Sequence, residues 1–142
     1  PTYTQVLLAP DGARVMEVAA RLGGGHDAEL CSAALGVDLS GAAVLAALGR
    51  PPGSLEPVRD RAALVRFLIA PPGRLRRVEG LDDARALSGV ELAYAYPAPG
   101  MLIEPLLRGP DRAGFVLATG ATRAAAEATA RQAEAVIAFV VE

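Results

Sequence analysis

The sequence predicts an α+β fold: a β-hairpin with two helices, followed by a small lobe in which helices flank a mostly antiparallel sheet. Three observations carry this. Asp11-Gly12 stands between the strand-like runs "YTQVLLA" and "RVMEVAA", a strong hairpin signal. "RPPGSLEP" interrupts the chain after two short helix-like segments. Beyond it, short apolar strands alternate with one long alanine-rich helical pattern, the order of an α+β lobe.

Each element has its own local reason. Folding back about Pro10-Asp11-Gly12-Ala13 sets Gln5 opposite or diagonal to Glu17. With a period of two, Val15, Glu17, Ala19 and Arg21 share one face, and Met16, Val18 and Ala20 the other. After Gly23-Gly24-Gly25, "HDAELCSAAL" reads as a helix closed by Gly36. "DLSGAAVLAALG" reads as a second helix, begun by Asp38 or Ser40 and ended by Gly49. Residues 1–50 therefore form one region, 51–56 a linker, and 57–142 a second lobe.

In that lobe "RAALVRFLIA" reads as a buried strand, turned by Pro71-Pro72-Gly73 into "RLRRVEG". Arg74, Arg76 and Arg77 suit a solvated edge, where charge blocks unwanted pairing. "LDDARALSG" suits a short helix, and "VELAYAYPAPGMLIEPLL" two strands about a Pro-Gly corner. "YAYPAPGM" is either that tight corner or the wall of a pocket. "AGFVLATG" is a strand, and "TRAAAEATARQAEAVIA" a helix capped by Thr122, ahead of a final strand. Ala126, Ala130, Ala133 and Ile137 give that helix a small-residue face fit to lie on a sheet.

Composition narrows the function. With 142 residues, half of them apolar, the chain can build a real core, and a net charge of -2 argues against a polyanion binder. There is no basic stripe and little aromatic content, so nucleic acid is not an expected partner. No run approaches the ~20 apolar residues of a membrane span. The single cysteine, Cys31, excludes an internal disulfide and suits the reducing cytoplasm; it reads as a core or near-core residue. The chain opens on Pro-Thr-Tyr and runs straight into strand-like sequence, as the C-terminal part of a longer protein would.

"RVMEVAARLGGGHDAEL" poses the functional question: an acid and a base on one strand run into a triple glycine. "GGGHDA" formally satisfies G-x-G-x-x-A. Dinucleotide binding is nonetheless rejected, because that fold needs a buried apolar strand in a parallel βαβ unit. A surface hairpin with solvated charges is the plain alternative. The order of motifs favours a third reading. "MEVAARLGGGH" is similar to the E-x-N-x-R strand and glycine loop of the ATP-grasp ligase superfamily, and "ALGVDL" to the step that follows. "VRFLIAPPGRLRRVEGLDDA" and "GFVLATGATRAAAEATARQA" resemble the C-terminal lobe of its amino-acid-ligase and biotin-carboxylase-like branch.

The resemblance implies a C-terminal ATP-grasp fragment, in which 1–50 end the ATP-binding lobe and 57–142 form a capping lobe. It implies ATP-dependent ligation of a carboxylate to an amine through an acyl-phosphate, with ATP and Mg2+ as cofactors. By the same resemblance Glu17 bridges magnesium, Gln5 stands at the other metal-ligand position, and Arg21 meets the transferring phosphoryl group. Gly23, Gly24, Gly25 and His26 form the cofactor-binding loop, although His26 taken alone reads first as a helix N-cap or packing residue and second as a substrate contact. Two departures stand out: Gln5 replaces the usual acid, and Ala19 the usual asparagine. They support the competing reading, a catalytically silent binding or oligomerisation module. The family's phosphate-binding lysines cannot lie in a chain whose fourteen basic residues are all arginine. The fragment is therefore expected to be inactive alone and to need the N-terminal remainder of the protein. A homodimer through a sheet edge is compatible with the sequence and not required by it.

Overall fold

The computed structural model describes residues 1–142, which divide into two compact units, Pro1–Asp60 and Arg61–Glu142. In the first, β1 (Tyr3–Ala9) and β2 (Gly12–Ala19) pair antiparallel about Pro10 and Asp11. Gly12 enters β2 at φ 131°, a conformation that L side chains rarely adopt. Gln5 lies directly opposite Glu17, but the next partners are Val6 and Val15, so Met16 is an extra, bulged residue. Cross-strand partners share a face. Glu17 and Ala19 therefore stay with Gln5 and Tyr3, whereas Val15 moves to the opposite face, against the simple period of two.

Two short helices follow. Helix α1 (Asp27–Leu35) ends at Gly36, whose φ of 73° is left-handed and whose N–H donates to the Ser32 carbonyl. Helix α2 (Leu39–Ala47) is capped by Asp38, whose side chain accepts from the Gly41 N–H at 2.8 Å. The segment after the proline-rich break returns to α1, where the Val58 and Arg59 N–H groups donate to the Leu35 carbonyl. The core of this unit is thin: Ala33, Val37 and Ala42 are buried. Meanwhile Leu7, Leu8, Val15 and Val18 of the hairpin stand exposed.

The second unit contains β3 (Ala62–Leu68), β4 (Gly73–Glu79), α3 (Leu81–Ala86), β5 (Val90–Ala95), β6 (Leu102–Ile103), β7 (Gly114–Gly120), α4 (Arg123–Val136) and β8 (Ala138–Val141). They make two three-stranded antiparallel sheets, ordered β3-β7-β5 and β6-β4-β8. Three sequence expectations change here. Strands β3 and β4 are not partners, and neither are β5 and β6; each pair is split between the sheets. Strand β3 is only half-buried, and the fully covered strand is central β7. Strand β4 is the middle of its sheet, not an edge, so its arginines line an exposed face. There Arg76 pairs with Glu142, Arg77 with Glu79, and Arg74 donates to the Gly100 carbonyl.

Helix α4 starts as expected, with the Thr122 hydroxyl accepting from the Ala125 N–H. Its Ala126, Ala130 and Ala133 are fully buried, and Ala130 and Ala133 join Val116 and Ala118 of β7 and Leu68 of β3 in one cluster. Alanine lets the helix backbone approach the sheet closely, at little side-chain entropy cost. A second cluster, Ala70, Leu75, Ile103 and Ala113, lies under the other sheet. Phe139 packs against both clusters and ties the two sheets into one unit.

Candidate functional site

The candidate site is built on the open end of the hairpin. Gln5 and Glu17 face each other across the ladder, and the Gln5 side chain makes no hydrogen bond to the chain. Strand β2 ends at Ala19, so Arg21 lies in the bend beyond it rather than on the strand. Arg21 nonetheless turns back: its Nη2 donates to Glu17 Oε1 at 3.2 Å and its Nη1 to the Leu22 carbonyl at 3.0 Å. Its guanidinium also sits 5.7 Å from the centre of the Tyr3 ring. Sequence reasoning misses Tyr3. The signal for it is nonetheless present, since Tyr3 falls two residues before Gln5 on the same face.

Both partners of the Glu17–Arg21 pair are about half exposed, which makes it a surface pair of ~1 kcal/mol or less. Either group can leave the other for a ligand at small cost.

The glycine loop is tight at one end and open in the middle. A Cβ on Gly23 would lie 1.9 Å from Asp27 Oδ2 and 2.8 Å from the Tyr3 ring, so only glycine fits without moving them. A Cβ on Gly24 would meet nothing within 4 Å. Gly25 and His26 both take left-handed backbone, each with φ 71°, and His26 is the non-glycine residue that does so. Such backbone costs a non-glycine residue ~1–2 kcal/mol, and histidine tolerates it better than most. His26 occupies the N-cap position of α1 but gives no side-chain cap; its Nδ1 lies 3.8 Å from Glu29 Oε2. Cys31 is a half-buried free thiol.

No three His, Cys, Asp or Glu side chains converge on a point that could hold a metal ion. What the hairpin offers is one carboxylate, Glu17, and one opposed amide, Gln5. This donor set fits magnesium only as it commonly binds beside nucleotides, through one or two protein oxygens with phosphates and water completing the shell.

An antiparallel hairpin and glycine loop followed by a small α+β lobe agree with the resemblance to the C-terminal region of ATP-grasp ligases. Comparison with known proteins makes the assignment. Residues 66–142 match the family described as L-amino acid ligase C-terminal domain 2, and the chain belongs to that family. The crystal structure of phosphoribosylglycinamide synthetase from Anaerococcus prevotii superposes on 99% of this chain with a TM-score of 0.88 at 14% identity. The crystal structure of L-amino acid ligase from Bacillus licheniformis does so over 99% with a TM-score of 0.79 at 21% identity. That of N5-carboxyaminoimidazole ribonucleotide synthetase from Thermotoga maritima also covers 99%, with a TM-score of 0.70 at 19% identity. At these identities the likeness is one of fold. The chain is also 34% identical over 137 residues, 94% of its length, to the uncharacterized protein y4rH of Sinorhizobium fredii. It spans 37% of each structural relative and 28% of the Sinorhizobium protein.

Proposed function

We propose that this chain is the C-terminal portion of an ATP-dependent carboxylate–amine ligase acting on amino acids, and that it does not turn over by itself. Residues 1–50 end the ATP-binding lobe, 51–56 link, and 57–142 cap the site. The observation that carries the reading is the convergence of Glu17, Gln5 and Arg21 at one end of the hairpin, beside a glycine loop open at Gly24. Membership in the L-amino acid ligase family supports it. The single free cysteine suits a cytoplasmic enzyme. No helix is long and apolar enough to cross a membrane.

Magnesium, when bound, would neutralise and align the phosphate oxygens of ATP during transfer to the substrate carboxylate. Glu17, with the Gln5 amide oxygen opposite, supplies this chain's share of its ligands. With ATP bound, Arg21 would exchange Glu17 for the transferring phosphoryl group and would donate to the acyl-phosphate. Its flat, permanently charged fork matches oxygens over which negative charge is spread. The Tyr3 ring, 5.7 Å from the guanidinium, adds a weak cation–π attraction that keeps Arg21 at this end of the hairpin. Gly23, Gly24, Gly25 and His26 form the loop beside cofactor and substrate, and the open space at Gly24 leaves room for an amino-acid carboxylate. The adenine and the remaining phosphates are held by lysines and loops outside this chain.

The test is amino-acid-stimulated ADP formation by the full-length protein with magnesium, beside Glu17→Ala and Arg21→Ala. Turnover that falls by about 10²–10³ in each variant is the expected result, the scale of losing one preorganised charge contact at a transition state. Absence of both turnover and nucleotide binding in wild type and variants alike would overturn the reading. The silent module that Gln5 and Ala19 suggest would then be the better description.

A further inference from the structure

The second unit holds a cavity of about 240 Å³ that the ligase reading does not use. Its lining includes Tyr96, Met101, Ile103, Glu104, Arg112 and Ala113. The floor is apolar and fixed. Ile103 and Ala113 are buried, and residue 113 is bonded on both sides, its N–H to the Leu68 carbonyl and its carbonyl to the Tyr96 N–H, each at 2.9 Å.

Two charges border this floor without neutralising each other. The Arg112 guanidinium carbon lies 3.7 Å from the centre of the Phe67 ring. A guanidinium held by its flat face keeps its in-plane donors, and none of those on Arg112 is spent on the chain. The carboxylate next to it in sequence cannot serve. Asp111 accepts from the Leu107 and Arg108 N–H groups and pairs with the Arg108 side chain. Glu104, in the same lining, is an exposed carboxylate with no ion pair or hydrogen bond. The cavity thus offers one positive fork, one carboxylate and an apolar floor. It is smaller than the usual drug-sized site.

We propose that this cavity binds a small zwitterion of the amino-acid class. Glu104 takes the ammonium group, Arg112 takes the carboxylate as a two-pronged donor, and Tyr96, Met101 and Ile103 receive the apolar side chain. The ligand is a free amino acid or a short dipeptide, which share this chemistry. The site is separate in its residues from the hairpin and does not rest on the ligase reading.

Methionine supplies the probe, because Met101 lies in the cavity and Met16 lies in β2 beside Glu17. The full-length protein is labelled with ¹³C at its methionine methyl groups, and the Met101 and Met16 signals are identified by their loss in Met101→Leu and Met16→Leu. It is titrated with L-leucine, with L-alanyl-L-leucine, and with N-acetyl-L-leucine amide, which lacks both charges. A saturable shift of Met101 is expected with one or both zwitterions, and which of them binds identifies the source; the capped compound leaves the signal in place. Glu104→Gln weakens binding about tenfold, the scale of losing one charge-assisted hydrogen bond, and Arg112→Gln does the same. Glu104→Gln is the deciding variant, because that side chain is exposed and unbonded and its loss leaves the fold intact. A Met101 signal unmoved by either zwitterion, shifts confined to Met16, equal binding of the capped compound, or full affinity in Glu104→Gln would each overturn the proposal.

Discussion

Replacing Gln5 by glutamate tests whether the hairpin is a metal-binding surface. Gln5 and Glu17 are direct cross-strand partners, and side chains so placed start roughly 5 Å apart. Two like charges at that separation repel by about 0.8 kcal/mol in water-like surroundings and by about 3 kcal/mol at an effective dielectric near 20. The hairpin is exposed and Arg21 already lies 3.2 Å from Glu17, so the lower end applies, about 1 kcal/mol. Without metal, Gln5→Glu is therefore expected to lower the thermal midpoint by about 2–4 °C if the unfolding unit is near 150 residues. Magnesium reverses the sign. A cation bound between two carboxylates and present at ten times its dissociation constant returns about 1.4 kcal/mol, which outweighs the repulsion. The assay is thermal unfolding of wild type and Gln5→Glu, each with and without magnesium and ATP. Equal responses of the two proteins to magnesium would refute the reasoning, because the two side chains would then not share a ligand.

Two further predictions concern the second unit. Gly80 has φ 71°, and a Cβ there would lie 1.7 Å from the Val136 carbonyl oxygen, a backbone atom that cannot rotate away. Gly80→Ala is expected to cost about 2–5 kcal/mol, the left-handed penalty plus overpacking. Gly100→Ala, with φ 91° and open space around it, should cost about 1–2 kcal/mol. Urea unfolding followed by tyrosine emission, to which Tyr94 and Tyr96 report from this unit, separates the two; equal losses would count against the close approach. Asp111 gives a pH dependence. Hydrogen bonding from the Arg108 side chain, aided by the Leu107 and Arg108 N–H groups, holds its carboxyl below the ordinary 3.8. A lowered folded-state value means that the carboxylate's contribution is present above 3.8 and is lost as pH falls through the folded value. Protection of the Leu107 and Arg108 amides against hydrogen exchange, relative to their intrinsic rates, should therefore fall in acid below pH 3.8, and in Asp111→Asn that step should vanish.

Sequence alone determined the elements whose causes are local. The hairpin at Asp11-Gly12, the caps at Asp38 and Thr122 and the stop at Gly36 depend on residues within four positions of each other. The turn also made Gln5 and Glu17 legible as cross-strand neighbours, opposite or diagonal, although their direct opposition depends on the Met16 bulge; the alanine face of α4 was legible because a 3.6-residue period displays it directly. The C-terminal ATP-grasp character was legible through the order of motifs, and the family match agrees with it.

Tertiary structure decided whatever depends on partners distant in the chain. Nothing within β4 reveals that β6 and β8 flank it, so its three arginines read as an edge. The Met16 bulge comes from pairing register, and it alone sends Val15 to the other face from Glu17. Arg21 returns to Glu17 although its strand has ended, with Tyr3, 18 positions away in sequence, under its guanidinium. Arg112 and Phe67 are separated further still, and only the pairing of β3 with β7 brings their segments together. Charge and period can be read from neighbouring residues; which side chain a cation rests on, and whether a carboxylate stays unpaired, is fixed only when remote strands meet.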